Sequence, residues 1–105
     1  MGGLFENLVV LEALKSRTHR GHDPSLYFFR DHNGREVDLL YPDGNQVIPI
    51  EIKSAQTFDA SFAKGVHYFQ KLSNSDHRGW IIYAGDSEFV TDQYEVSNFK
   101  SAFDV

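Results

Sequence analysis

No cysteine occurs in the 105 residues, so disulfides and thiolate metal sites are excluded. That usage fits the cytoplasm, the expected location. Long hydrophobic runs are missing too. No window approaches the ~20 apolar residues of a membrane-spanning helix, and no membrane association is expected. The basic start and small-residue cleavage site of a signal peptide are absent. Positive charge is in the minority: 10 Lys and Arg against 15 Asp and Glu give a net charge of −5 with the histidines neutral. A protein that coats nucleic acid without specificity needs a basic face, and this balance argues against one. There is no glycine-rich nucleotide-binding loop, so ATPase activity would lie outside this chain. Repeats and low-complexity tracts are also absent. What the chain does have is apolar matter: 41% hydrophobic residues, with nine Phe and five Tyr. That is ample for one packed interior at the usual size of a single domain. Met1-Gly2-Gly3 runs straight into a helical pattern, which predicts a piece of a longer protein.

The stretch from Arg35 to Ser54 reads as a β-hairpin. Two apolar-rich runs, Arg35–Tyr41 and Val47–Ser54, flank a turn containing Pro42, Asp43, Gly44 and Asn45. A register centred on Gly44 and Asn45 sets Asp38 opposite Glu51, on one face, with Cβ atoms about 5 Å apart. Lys53 lies two residues beyond Glu51 and shares that face. Ile50 and Ile52 point the other way, into a core. Two opposed carboxylates destabilise a sheet. A hard divalent cation reverses the sign, since Mg²⁺ is held by one or two carboxylates together with waters and phosphate. The bland alternative is an edge hairpin with a solvated polar face.

Around the hairpin, Leu4 to about Ser16 reads as a helix, apolar nearly all round. Such a helix is buried on more than one side or meets a further partner. Glu6 falls in its first turn, where a carboxylate suits the helix dipole. Glu12 is a second acidic candidate on the same helix, where a buried ion pair is the simpler reading. Thr18 to Ser25 reads as a loop; no third ligand at regular spacing joins His19 and His22. Leu26 to Arg30 is a strand, followed by a tight turn over Asp31-His32-Asn33-Gly34. Strands one to three form an antiparallel meander. Asp59 caps a second helix running to about Leu72, with Phe62, Ala63, Val66 and Phe69 packing on the sheet. Gly79 to Ala84 is a buried strand, reached by a helical crossover and so parallel to strand three. Glu88 to Val96 is a weaker strand, and Ser97 caps a last helical turn through Phe99 and Phe103. The fold class is α/β, with the order α-β-β-β-α-β followed by a short strand and helix.

Asp38 followed by Ile50-Glu51-Ile52-Lys53 resembles the PD-(D/E)xK nuclease signature. The runs Gly3-Leu4-Phe5-Glu6-Asn7, Tyr27-Phe28-Phe29-Arg30-Asp31 and Asn33-Gly34-Arg35-Glu36-Val37-Asp38 precede it in the same order as in one group of that superfamily. That group is the nuclease-like C-terminal domain behind many bacterial and archaeal AAA-type ATPase modules. The resemblance covers nearly the whole chain and is tightest from Gly3 to Ser54. It implies a restriction-endonuclease-like core, a mixed central sheet flanked by helices. It also implies metal-dependent hydrolysis of DNA phosphodiesters. Asp38, Glu51 and the backbone carbonyl of Ile52 would then hold Mg²⁺ (or Mn²⁺), Lys53 would position the attacking water or stabilise developing charge, and Glu6 would complete the carboxylate set. Tyr68 and Gln70 resemble polar residues that some members use near the site. The implied partners are DNA, an N-terminal AAA-type ATPase domain and a second copy of the chain. The acidic balance does not exclude a nuclease, because a metal ion completes the electrostatics of such a site. Two rival readings stay open: a non-catalytic nucleic-acid- or protein-binding module that regulates an ATPase, and a scaffold in which Asp38 and Lys53 form only a salt bridge.

Overall fold

The computed structural model describes residues 3–103. Met1 and Gly2, on which the reading of an excised piece rests, lie outside the described residues. The chain runs α1 (Leu4–His19), β1 (Tyr27–Arg30), β2 (Glu36–Asp43), β3 (Gln46–Lys53), a 3₁₀ turn (Ala60–Ala63), α2 (Lys64–Ser73), β4 (Gly79–Tyr83), β5 (Phe89–Val90) and β6 (Tyr94–Asn98). The fold is mixed α/β. One six-stranded sheet has the order β1-β2-β3-β4-β6-β5. β1, β2 and β3 form the antiparallel meander. β4 joins β3 in parallel, as a helical crossover dictates, and β6 joins β4 in parallel. β5 closes the far edge antiparallel to β6. No helix among the described residues is long and apolar enough to cross a membrane.

The hairpin pairs as its sequence predicts, with Asp43 opposite Gln46 and Leu39 opposite Ile50. The turn is tighter than its composition suggests, because Pro42 and Asp43 belong to β2 and only Gly44 and Asn45 turn. Gly44 takes φ +64 and Asn45 stays at negative φ, the sign pattern of a type II′ turn, which suits the twist of the strands. A one-residue slip would move every side chain to the other face. The observed register sends Leu39, Tyr41, Ile50 and Ile52 to one side, where they meet Val9 and Ala13 of α1 and Ile82 of β4. The C-terminal turns add Phe99, Ala102 and Phe103 to this layer. The opposite face packs Ile81, Tyr83 and Val96 against Ala63 and Val66. Each fully buried aliphatic side chain contributes roughly 1.5–3 kcal/mol.

Four expectations need correction. α1 runs on to His19 rather than ending near Ser16. Arg20 N–H reaches Ser16 O, Gly21 N–H reaches Thr18 O and His22 N–H reaches Arg17 O, with Gly21 at φ +77, a Schellman ending that a glycine permits. α1 is not buried on several sides either: Leu4 is 87% exposed, and Leu8 and Leu11 face outward while Val9 and Ala13 carry the contact. The Glu88–Val96 run is not one strand but a small hairpin, β5 and β6, turned by Thr91 and its neighbours. Ser97 caps no helix. It is buried within β6 and accepts from Trp80 Nε1 at 3.0 Å. The following residues form turns, and Asn98 Oδ1 accepts from Lys100 N. Asp59 does cap as expected, accepting from Ser61 N, but the turn it opens is 3₁₀ before α2 begins.

Candidate functional site

The β2–β3 ladder ends at Leu39 and Ile50, and its register brings Asp38 and Glu51 together just beyond. There the carboxylates take over the work of the ladder. Asp38 N donates to Glu51 Oε1 at 3.2 Å, and Ile52 N donates to Asp38 Oδ2 at 2.8 Å. Each side chain bonds the backbone of the other strand, so two like charges are held side by side. Glu51 is only 6% exposed. Burial, followed by the charge of Asp38, pushes its carboxyl up from 4.5 to about 7, while the Asp38 amide and Lys53 pull the other way. Burial likewise raises Asp38, against the Ile52 amide bond and the charge of Lys53. The Ile52 peptide is kept against Asp38 by that same bond.

Lys53 follows Glu51 by two residues, and its Nζ lies 5.9 Å from the centre of the Phe62 ring. Its charge acts on Glu6, Asp38 and Glu51 alike. Glu6 comes from the first turn of α1, and its Oε2 is buried with no hydrogen-bond partner among the described residues. Burial and then the charge of Asp38 raise its carboxyl. Of the two acidic candidates on α1, Glu6 is the one on which the charges of Asp38 and Lys53 act. Glu12 is not part of it: it pairs with Lys15 at 3.2 Å, and that pair is exposed rather than buried.

Several site features escaped the sequence reading. Glu36, two residues before Asp38 on β2, adds negative charge that acts on Glu6, Asp38 and Glu51. Its Oε2 lies 3.5 Å from Arg30 Nε. The alternation of β2 was the signal that could have found it. Gly65 sits in the first turn of α2, against the site. A Cβ there would lie 2.7 Å from Glu51 Oε2 and 2.9 Å from the Glu36 carbonyl, so the missing side chain lets the helix rest on the carboxylate. A glycine inside a helical pattern is a packing signal of this kind. Beside Gly65 opens a recess of about 290 Å³, lined by Arg35, Glu36, Glu51, Lys64, Gly65 and Tyr68. Tyr68 thus does stand next to the site. Gln70 does not: its amide donates to the carbonyls of His77 and Gln93 and ties α2 to the neighbouring strand ends.

Asp38 and Glu51 could hold a hard cation, which takes one or two carboxylates and fills its remaining positions with water or phosphate. The burial of Glu51, the half-burial of Asp38 beside it and the Oε2 of Glu6, which has no hydrogen-bond partner among the described residues, fit a positive ion at this point. Among the described residues no three His, Asp or Glu side chains gather closely enough to enclose a metal by themselves. His19 and His22 belong to no such group. Comparisons with curated proteins and with solved structures found no match. The family model for a domain of unknown function, DUF4143, matches residues 1–101, and the chain belongs to that family.

Proposed function

We propose that this domain hydrolyses DNA phosphodiesters with the help of a divalent metal ion, as a PD-(D/E)xK-type nuclease joined to an AAA-type ATPase. The observation that carries the reading is the pair Asp38 and Glu51, a half-buried and a buried carboxylate locked together by reciprocal backbone bonds within the field of Lys53. The element order α-β-β-β-α-β, with β4 parallel to β3, agrees with a restriction-endonuclease-like core.

Asp38, Glu51 and the Ile52 carbonyl would hold Mg²⁺ or Mn²⁺, which supplies charge to polarise a phosphate and to acidify water. The chain's own residues do the rest. The Asp38–Ile52 and Glu51–Asp38 bonds fix the carboxylates in advance, so little reorganisation accompanies binding. Lys53 carries positive charge on the same face, where it stabilises the extra negative charge that develops on a phosphate under attack. Glu6, whose Oε2 has no hydrogen-bond partner among the described residues, would accept a proton or orient a water from the α1 side.

A second reading is a non-catalytic module that regulates an ATPase. It is favoured by the backbone amide that occupies one oxygen of each carboxylate and by the net charge of −5. Calorimetric titration of Mn²⁺ into wild type and Asp38→Ala, followed by incubation with supercoiled, single-stranded and branched DNA, separates the two. Heat of binding that vanishes in the variant, together with cleavage, supports the nuclease. Absence of cleavage by both the domain and the ATPase-linked protein leaves the regulatory module.

A further inference from the structure

Two cations, Arg35 and Lys64, line the recess beside Glu51. Neither makes an ion pair or donates a side-chain hydrogen bond among the described residues. Arg35 is nevertheless held in place. Its guanidinium lies 4.8 Å from the centre of the Tyr68 ring. The Tyr68 hydroxyl donates to Asp31 Oδ2, while Asp31 Oδ1 accepts from the Arg35 amide at 2.9 Å. A planar guanidinium held over an anchored ring, with none of its N–H groups donating among the described residues, suits a phosphate. Lys64 opens α2 in the lining of the same recess, where the helix end adds partial positive charge.

We propose that this recess is a phosphate subsite: Arg35 and Lys64 grip the backbone phosphate of a nucleic-acid strand next to the one presented to Asp38 and Glu51. The subsite rests on the hydrolytic reading for its ligand, and it gives that reading a direction, with the strand entering across the start of α2. Two carboxylates in the wall oppose an anion. Glu36 faces Arg30 at 3.5 Å, and Glu51 faces Lys53 and the divalent ion of the proposed site. Strand binding is therefore expected to need both the divalent ion and the two cations.

The test is fluorescence anisotropy of labelled single-stranded and duplex oligonucleotides across a salt series, with Ca²⁺ and with EDTA. It uses wild type, Arg35→Gln/Lys64→Gln and, as a single-charge control outside the recess lining, Lys71→Gln. Arg35 and Lys64 are exposed, and melting curves confirm that the double variant folds. Each lost phosphate contact lowers the salt slope by about 0.7–0.9. The double variant should bind at least ~10-fold more weakly at low salt with a slope shallower by one to two units, while Lys71→Gln matches wild type. An unchanged slope in the double variant, an equal loss in Lys71→Gln, or no oligonucleotide binding by wild type overturns the subsite. Displacement of the oligonucleotide by inorganic phosphate at equal phosphate concentration also overturns it, since that marks a free-anion site. Strand binding that behaves as expected, with no cleavage when Mn²⁺ replaces Ca²⁺, sustains the subsite and removes the hydrolytic reading. Cleavage with an unchanged slope does the reverse.

Discussion

Gly65 and Glu51 are packed so closely that a single methyl group does not fit between them: a Cβ on Gly65 would sit 2.7 Å from Glu51 Oε2 and 2.8 Å from its carboxyl carbon. The effect of Gly65→Ala is therefore decided by two opposed quantities. Alanine is the better helix former by about 1 kcal/mol, but overpacking a dense site costs about 1–3 kcal/mol. The second prevails where the obstructing group is tied down, and Glu51 is tied to the Asp38 amide. Gly65→Ala should lower stability in urea denaturation and weaken Mn²⁺ binding by displacing Glu51. A gain in stability equal to the propensity difference would show that the contact is not tight.

The shifted carboxyl of Glu51 makes stability depend on pH in an uncommon direction. Its folded value is about 7 against 4.5 unfolded. Below 4.5 both states are protonated and the contribution is fully present. Between 4.5 and 7 the unfolded state loses the proton first, so stability falls as pH rises. Above 7 the loss is complete and is on the order of 3 kcal/mol. Asp38 and Glu6 are raised as well and act in the same sense. Asp23, Asp31, Asp59 and Glu88 are lowered by local hydrogen bonds, so their contribution disappears only in more acid solution. Urea midpoints in EDTA should drop from about pH 5 to pH 8, and Glu51→Gln should flatten that slope. A rising midpoint across this window contradicts the assignment.

Divalent metal should reverse that loss. A ligand binding only the native state adds about 2.7 kcal/mol at a hundredfold excess over its dissociation constant, which for ~100 residues raises Tm by several degrees. At pH 8 excess Mn²⁺ should raise Tm relative to EDTA, and Asp38→Asn or Glu51→Gln should abolish the rise. Superimposable wild-type melting curves would show that no metal site is formed.

Arg17 is a different kind of buried charge. It is 5% exposed, donates from Nε to Asp23 O at 2.7 Å and from Nη1 to Pro42 O at 2.5 Å, and lies 5.0 Å from the centre of the Tyr41 ring. It fastens the end of α1 to the end of β2, away from the carboxylates. Replacing it with Ala leaves two carbonyls unpaired and a cavity, a loss of roughly 3–5 kcal/mol. Arg17→Ala should unfold at markedly lower urea concentration, while Arg17→Lys recovers only part, lacking the fork that reaches both carbonyls.

The hairpin register was legible because period-two alternation and a Gly-Asn turn both point to it, and one slip would expose Ile50 and Ile52. The carboxylate pair followed directly. Glu6 was separable from Glu12 only in three dimensions: both lie on an apolar helix, and the side that packs is set by Val9 and Ala13, not by the larger exposed leucines. Arg17 escapes the sequence reading because it falls in the last turn of α1, Arg17 to His19, beyond the expected end near Ser16. Tyr68 and Arg35 meet through Asp31, thirty-seven residues from Tyr68, a distance no local pattern spans.

Lys53 supplies the sharpest separation between binding and chemistry. It shares a face with Asp38 and Glu51, yet a protonated amine has no lone pair and cannot ligate a metal. Lys53→Ala should therefore keep the Mn²⁺-dependent rise in Tm. Removing its positive charge takes away the group proposed to meet developing phosphate charge, so cleavage should fall by about 100-fold or more. Plasmid nicking by wild type and variant, purified side by side with Mn²⁺, reads this directly. Equal nicking by the two would assign the cutting to a contaminant or to another site, whereas loss of both nicking and metal binding would mean that Lys53 is needed to hold the carboxylates in place.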